Sequence, residues 1–155
     1  MLKQLQKTLR AGKWQVTIAL RSGCQIVAIW PGLKEQILGA AIDVGSTTMS
    51  AHLCDMNNGQ VLASTGIMNP QIRFGEDLMS RVSYAMMNPG GDVEMTEAVR
   101  LSINALAQSV AAEAGVEPAA IMETVVVCNP VMHHLFLGID PVELGQAPFA
   151  LASSS

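Results

Sequence analysis

Aromatic residues are scarce in this 155-residue chain: two Trp, one Tyr and three Phe make up 4% of it. A core must therefore be filled by Ala, Val, Ile, Leu and the 10 Met, whose thioether side chains adapt to irregular gaps. Charge is equally sparse at 14%, against about a quarter in soluble domains. With half of the residues hydrophobic, that shortage points to surface that expects a partner, another domain included. A net charge of −4 argues against the clustered Lys and Arg of a nucleic-acid face. No uninterrupted apolar run approaches the ~20 residues of a membrane span. The stretch Met1-Leu2-Lys3-Gln4-Leu5-Gln6-Lys7 has no signal-peptide hydrophobic region. A cytoplasmic location is therefore expected, with neither nucleic acid nor membrane as partner. Cys24, Cys54 and Cys128 are odd in number and far apart. No C-x-x-C or similar spacing exists, so the chain lacks any usual ligand pattern for an iron–sulfur centre. Buried, reduced thiols are expected instead.

What is present reads as two unequal parts. Leu2, Leu5 and Leu9 fall at helical spacing before Gly12, a short amphipathic helix. Trp14, Val16, Ile18 and Leu20 then alternate with Gln15, Thr17 and Ala19, and a second β-rich run covers Gln25 to Trp30 after Arg21-Ser22-Gly23. These two strands make a hairpin closed by Pro31-Gly32. Residues 1–38 are thus expected to be a linker module, since a lone hairpin is marginal without something to pack on. Residues 39–149 carry the main domain, and residues 150–155 are expected to be a disordered tail.

The main domain opens with a buried strand, 39–44, then a turn, then a second strand at Met49–Cys54 and a third at Gln60–Ile67. Three consecutive strands with tight turns form an antiparallel meander. Asn69-Pro70 breaks the sheet, and Gly75-Glu76-Asp77 opens a helix in which Leu78, Val82, Ala85 and Met86 share a face. Asp92 is placed to cap a longer helix whose buried stripe is Val99, Ile103, Leu106, Val110 and Ala114. Thr124-Val125-Val126-Val127-Cys128 is a continuous apolar run, expected to be a strand covered on both faces. A short helix follows at about Met132–Leu137. The fold class is α/β: a mixed sheet with a three-strand antiparallel meander and flanking helices, preceded by a β-hairpin module. Its β-β-β-α-β order is that of a single ribonuclease-H-like lobe, the unit from which actin-type ATPases are built as two facing copies. No internal repeat is present, so one copy is expected.

Asp43-Val44-Gly45-Ser46-Thr47-Thr48 carries the chemistry. Gly45 is expected to adopt positive φ and let the backbone approach a ligand. The amides and hydroxyls of Ser46, Thr47 and Thr48 suit phosphate oxygens. Asp43, leaving the strand end, suits a hydrated Mg²⁺. A polar β-turn with a capping aspartate is the simpler reading of the same residues.

Residues 39–149 resemble the reductive activators of corrinoid proteins, ATPases of the acetate kinase, heat-shock and actin superfamily. The resemblance rests on Leu38 to Thr48, on Asn69-Pro70-Gln71-Ile72-Arg73-Phe74-Gly75-Glu76-Asp77-Leu78-Met79-Ser80-Arg81, and on Met132-His133-His134-Leu135-Phe136-Leu137-Gly138-Ile139-Asp140-Pro141. Residues 13–30 also resemble the linker hairpin just upstream in these proteins. The resemblance implies an N-terminal [2Fe–2S] ferredoxin-like domain, a middle domain of this kind and a larger C-terminal ATPase lobe. It implies ATP-driven electron transfer onto an inactivated cobalt(II) corrinoid protein. This chain holds neither the cluster cysteines nor the second lobe, so it is expected to be a fragment that turns over little ATP alone. Asp43 would orient Mg²⁺, with Gly45, Ser46, Thr47 and Thr48 around the phosphates of Mg-ATP. One departure stands out. Cys128-Asn129-Pro130-Val131-Met132 occupies the place where the family commonly has Gly-Asn-Thr-Thr-Met, losing one amide and two hydroxyls.

Other candidates are weaker. His52 lies in a strand and packs or faces solvent. His133 and His134 point about 100° apart on a helix, which disfavours chelation of one metal, so a capping or interface role is expected. Glu76 and Asp77 suit a helix N-terminus, or a base near a γ-phosphate. Arg73 and Arg81 suit a phosphate or an exposed acid. The Asn69–Arg81 segment fits either a cleft or an interdomain contact. Two functions remain open: half of a Mg-ATP site completed by a missing lobe, or a protein-docking or homodimerisation module. A sugar- or acetate-kinase-like lobe is an outside alternative.

Overall fold

A computed structural model describes residues 2–152. An amphipathic helix α1 (Leu2–Ala11) leads into the hairpin β1 (Val16–Arg21) and β2 (Gln25–Pro31), paired antiparallel. The expected first strand starts later than its alternation suggests. Lys13 and Trp14 sit at φ 52° and 69°, and the Trp14 amide donates to Leu9 O at 2.8 Å, so this Trp closes the helix end and lies outside the ladder. Ile18 and Leu20 stay half-exposed while Ala19 is buried, the reverse of the apolar alternation.

The main sheet contains β3 (Leu38–Val44), β4 (Thr48–Asp55), β5 (Val61–Met68) and β6 (Ile121–Cys128), in the order β5-β4-β3-β6. β3, β4 and β5 form the antiparallel meander, and β6 returns parallel to β3 with Val44 opposite Cys128. The α/β class and the mixed sheet are as expected from the sequence. Alternation along β3 and β4 decides the layering. Leu38, Ala40, Ile42 and Val44 on β3 and Met49, Ala51 and Leu53 on β4 are buried, while Ala41, Asp43 and His52 are exposed. One face of the sheet therefore packs a core and the other is open.

The packed face is covered by α3 (Gly91–Glu113), whose Met95, Val99, Ile103, Leu106 and Val110 join the core, together with α2 (Leu78–Met87) and α4 (Pro130–Leu137). Ala114 is half-buried at the end of that stripe. Asp92 does not cap α3. The cap is Gly90 in the left-handed region, and Asp92 lies inside the first turn, where a carboxylate still favours the positive helix end. On α2 the expected face is altered: Val82 is buried, Met86 is 52% exposed, and the charged Arg81 is buried completely.

β6 departs from expectation. Val125 and Val127 are 58% and 63% exposed, because its second face belongs to the open side of the sheet and no described element covers it. A continuous apolar run does not show that a strand is covered on both faces. Of the expected tail 150–155, residues 153–155 lie outside the described residues. Ala152 donates its amide to His134 Nε2 at 3.1 Å.

Leu53 is fully buried at the centre of the meander. Replacing it by Ala is expected to destabilise the chain by about 3 kcal/mol through lost burial and a residual cavity, read from the shift in the urea unfolding midpoint.

Candidate functional site

The turn joining β3 to β4 lies at the carboxyl end of β3, and the turn joining β6 to α4 lies beside it, since β3 and β6 run parallel. In open α/β sheets such an end is where ligands bind. Gly45 does not take the positive φ expected of it. It is glycine for a different reason: a Cβ there would sit 2.6 Å from the Thr48 carbonyl oxygen, closer than van der Waals contact allows.

The Asn69–Arg81 segment, ambiguous in the sequence, passes directly behind this turn. The Asn69 amide donates to Thr47 O at 2.8 Å, and Asn69 Nδ2 donates to Gly45 O at 2.8 Å. The Arg81 guanidinium donates to Ser46 O. All three carbonyls of the turn are therefore held by one segment. In a planar trans peptide the carbonyl and the following N–H point in opposite directions. The amides of Ser46 and Thr47 consequently turn away from Asn69 and Arg81, and among the described residues neither has a hydrogen-bond acceptor. Two free amides and the exposed Thr47 and Thr48 side chains thus leave several donors without partners at this turn, groups of the kind that anions accept from. Ser46 Oγ meets the second turn, receiving Asn129 Nδ2 at 3.4 Å.

The clamp is itself built in depth. Asn69 Oδ1 accepts from the Gln71 amide at 2.9 Å and so caps the 3₁₀ turn Pro70–Phe74. Gln71, fully buried, donates from Nε2 to Met95 O on α3 at 2.7 Å and receives Arg81 on Oε1 at 3.3 Å. Arg81 also donates from Nε to Gly75 O at 2.9 Å and from an Nη to Met132 Sδ at 3.2 Å. Burial pulls its guanidinium down from the usual value, and the field of Asp77 acts in the opposite direction. A guanidinium still keeps its proton at any ordinary pH. Gly75 makes the close pass of this segment possible, since a Cβ would lie 2.6 Å from Ser80 Oγ and 2.8 Å from the Arg81 amide nitrogen.

Arg81 therefore reaches neither an exposed acid nor open solvent, and Arg73 lies over the Phe74 ring at 4.6 Å. Asp77 is the cap of α2: its carboxylate accepts from the Ser80 amide at 2.7 Å, and Ser80 Oγ receives the Asp77 amide in return. The Ser80 amide first, and then its hydroxyl, hold this carboxyl below its ordinary value. Glu76 is exposed beside it.

Asp43 is exposed at the end of β3, opposite Ser50 on β4 and Val127 on β6. Burial, followed by the charge of Asp43, raises the Cys128 thiol above its ordinary value, so the thiol stays protonated and a poor nucleophile. Asp43, three residues before Ser46, is a carboxylate that could hold the water shell of a divalent cation. No group of three or more His, Cys, Asp or Glu among the described residues is placed to hold a metal directly. Cys54 and Cys128 lie at opposite ends of the sheet, so the cysteines do not fit an iron–sulfur cluster.

Pro130 stands at the first position of α4, with Asn129 as the cap through Oδ1 to the Met132 amide at 3.0 Å. Proline there costs the helix no hydrogen bond. His134 is buried, with Nδ1 2.8 Å from Pro130 O and Nε2 accepting from Ala152. These two contacts require the Nδ1–H tautomer and leave no nitrogen for a metal. His52 is exposed, with Nδ1 2.8 Å from Ser64 Oγ.

The model of the RACo middle region matches residues 38–155, and that of the RACo linker region matches residues 1–36. The chain belongs to the RACo family. The resemblance to reductive activators of corrinoid proteins is thereby borne out. A relative in Eubacterium limosum, the corrinoid activation enzyme RamQ, is 34% identical over 130 residues, 83% of this chain and 22% of that protein. A solved structure of a reductive activator for corrinoid, iron-sulfur protein superposes with a TM-score of 0.84 at 38% identity, over 98% of this chain and 25% of that one. The chain thus spans about a quarter of the length of these relatives. No helix among the described residues is long and apolar enough to cross a membrane.

Two outcomes test the site's construction. Gly45→Ala is expected to displace the turn and destabilise the fold by about 1–3 kcal/mol, seen as shifted Ser46 and Thr47 amide resonances and a lower unfolding midpoint. Asp77 has a folded-state pKa below its unfolded value, so its stabilisation is present above the unfolded value and is lost as pH falls through the folded one. Asp77→Ala is therefore expected to lower Tm at pH 7, with the gap to the wild type closing in acid.

Proposed function

We propose that this chain supplies the first phosphate-binding loop of a Mg-ATP site in an ATP-dependent reductive activator of corrinoid and iron–sulfur proteins. The observation that carries this reading is the pair of free amides at Ser46 and Thr47, held outward because Asn69 and Arg81 engage the turn carbonyls. In this reading Gly45 permits the tight turn, the Thr47 and Thr48 hydroxyls take phosphate oxygens, and Asp43 holds water on Mg²⁺. The sheet is read as a ribonuclease-H-like lobe facing a second, C-terminal ATPase lobe. Phosphoryl transfer needs charge stabilisation from several directions and a positioned water. One loop does not supply these, so the chain alone binds nucleotide weakly and turns over negligibly. The [2Fe–2S] cluster named by the resemblance would belong to another part of a full-length relative, and a corrinoid protein would receive the electron.

A second reading is favoured by a different observation. Val125 and Val127 are exposed on the open sheet face, and an apolar cleft of about 580 Å³ runs along the other face of β6 between α3 and α4. Both suit docking of a protein surface, whether another lobe or a second copy of the chain.

Calorimetric titration of Mg-ATP into the wild type and Asp43→Ala separates the readings. Binding near millimolar that is lost in Asp43→Ala supports the phosphate loop. Absence of heat from folded wild-type protein overturns it and leaves docking, which sedimentation of the same samples examines.

A further inference from the structure

Among the described residues Arg81 is the largest fully buried side chain. Placing a guanidinium there is costly, and an apolar residue of similar volume would pack at lower free energy. The acceptors that receive it are neutral: Gly75 O, Gln71 Oε1, Met132 Sδ and Ser46 O. These belong to three separate segments, the β3–β4 turn, the 3₁₀ turn with its closing Gly75, and α4, which the planar fork of an arginine spans with its directions already set. The acid whose field reaches it is Asp77, which is exposed and already engaged by Ser80. The positive charge thus lies in a low-dielectric interior, one carbonyl away from the two free amides of the turn.

We propose that Arg81 is the positioning residue of the phosphate turn and its buried source of positive charge, setting the outward direction of the Ser46 and Thr47 amides and raising their affinity for a polyphosphate. This rests on the phosphate-loop reading for the identity of the anion, but not for the positioning. Arg81 does not touch the ligand. It acts through the Ser46 carbonyl, and its charge attracts an anion across a medium that screens poorly. Asn69 fixes the neighbouring carbonyls without charge, so the two residues divide the work: Asn69 shapes the turn, and Arg81 both shapes and polarises it.

The test uses the full chain, with inorganic tripolyphosphate and Mg-ATP as probes in calorimetry and with the amide resonances of Ser46 and Thr47 as a second readout. Arg81→Met, which removes charge and fork, is expected to weaken tripolyphosphate binding by about tenfold or more and to displace both resonances. Arg81→Lys keeps the charge and loses the fork. It is expected to recover about threefold of that loss while the resonances remain displaced, a rescue that a merely structural role does not produce. If Arg81→Met does not fold, Arg81→Lys carries the test, with affinity below wild type and displaced amides as the supporting result. Either variant, folded and binding tripolyphosphate as tightly as wild type, overturns the proposal. Wild-type protein that binds neither probe overturns the phosphate-loop reading by itself. The positioning role then stands on displaced Ser46 and Thr47 resonances in the variants, and falls if those resonances are unmoved.

Discussion

A buried guanidinium with no carboxylate among its acceptors sets the terms for this end of the molecule. Arg81 joins the β3–β4 turn, the 3₁₀ turn behind it, the entry to α2 and the first turns of α4. Of these partners Gln71 is fully buried, and an unpaired buried polar group costs more than a typical hydrogen bond contributes. A shift of the 3₁₀ turn away from Arg81 would leave the Gln71 Oε1 acceptor without this donor. Among the described residues no buried side-chain polar atom lacks a partner, so the network is closed. Closed networks of this kind rigidify, whereas partly satisfied ones do not.

Much of the architecture was legible before any coordinates. The leading strand at 39–44 was placed from its apolar run, although it is buried on one face only, and Asn69-Pro70 marked a real break. The interior of the site was harder to read. A helix face was drawn through Leu78, Val82, Ala85 and Met86, whereas the buried face runs through Arg81 and Val82 with Met86 outside. Arg81 lies three residues after Leu78 and four before Ala85, so its spacing did place it inward. Its charge obscured that, because the usual rule puts arginine in water. Asn69 and Gln71 were missed for the same reason, as buried polar residues look like loop residues until their partners are known.

Gly45 shows a second limit. A glycine in a ligand-type turn is commonly explained by positive φ, yet here the governing fact is the distance to the Thr48 carbonyl oxygen. Conformational freedom and steric clearance are separate reasons for the same residue type, and sequence does not distinguish them. The last strand shows a third. Its unbroken valines matched a strand enclosed on both faces, but two of them stand on an open surface. That exposure agrees with the low charge content, since a chain with few ionised residues has little else with which to clothe a sheet.

The parallel pairing of β3 with β6 has a kinetic meaning. Ser46 and Asn129, which meet across the two turns, are 83 residues apart, so that contact closes a long loop. Pairings so distant in sequence slow folding, because the entropy of closing a long loop is lost before the contact rewards it. On a ribosome adding about 5–20 residues per second, the meander would emerge several seconds ahead of the strand that completes its central edge. During that interval β3 presents an unpaired border and uncovered apolar side chains. The interval between β3 and β6 is therefore one in which this edge is open to misassociation.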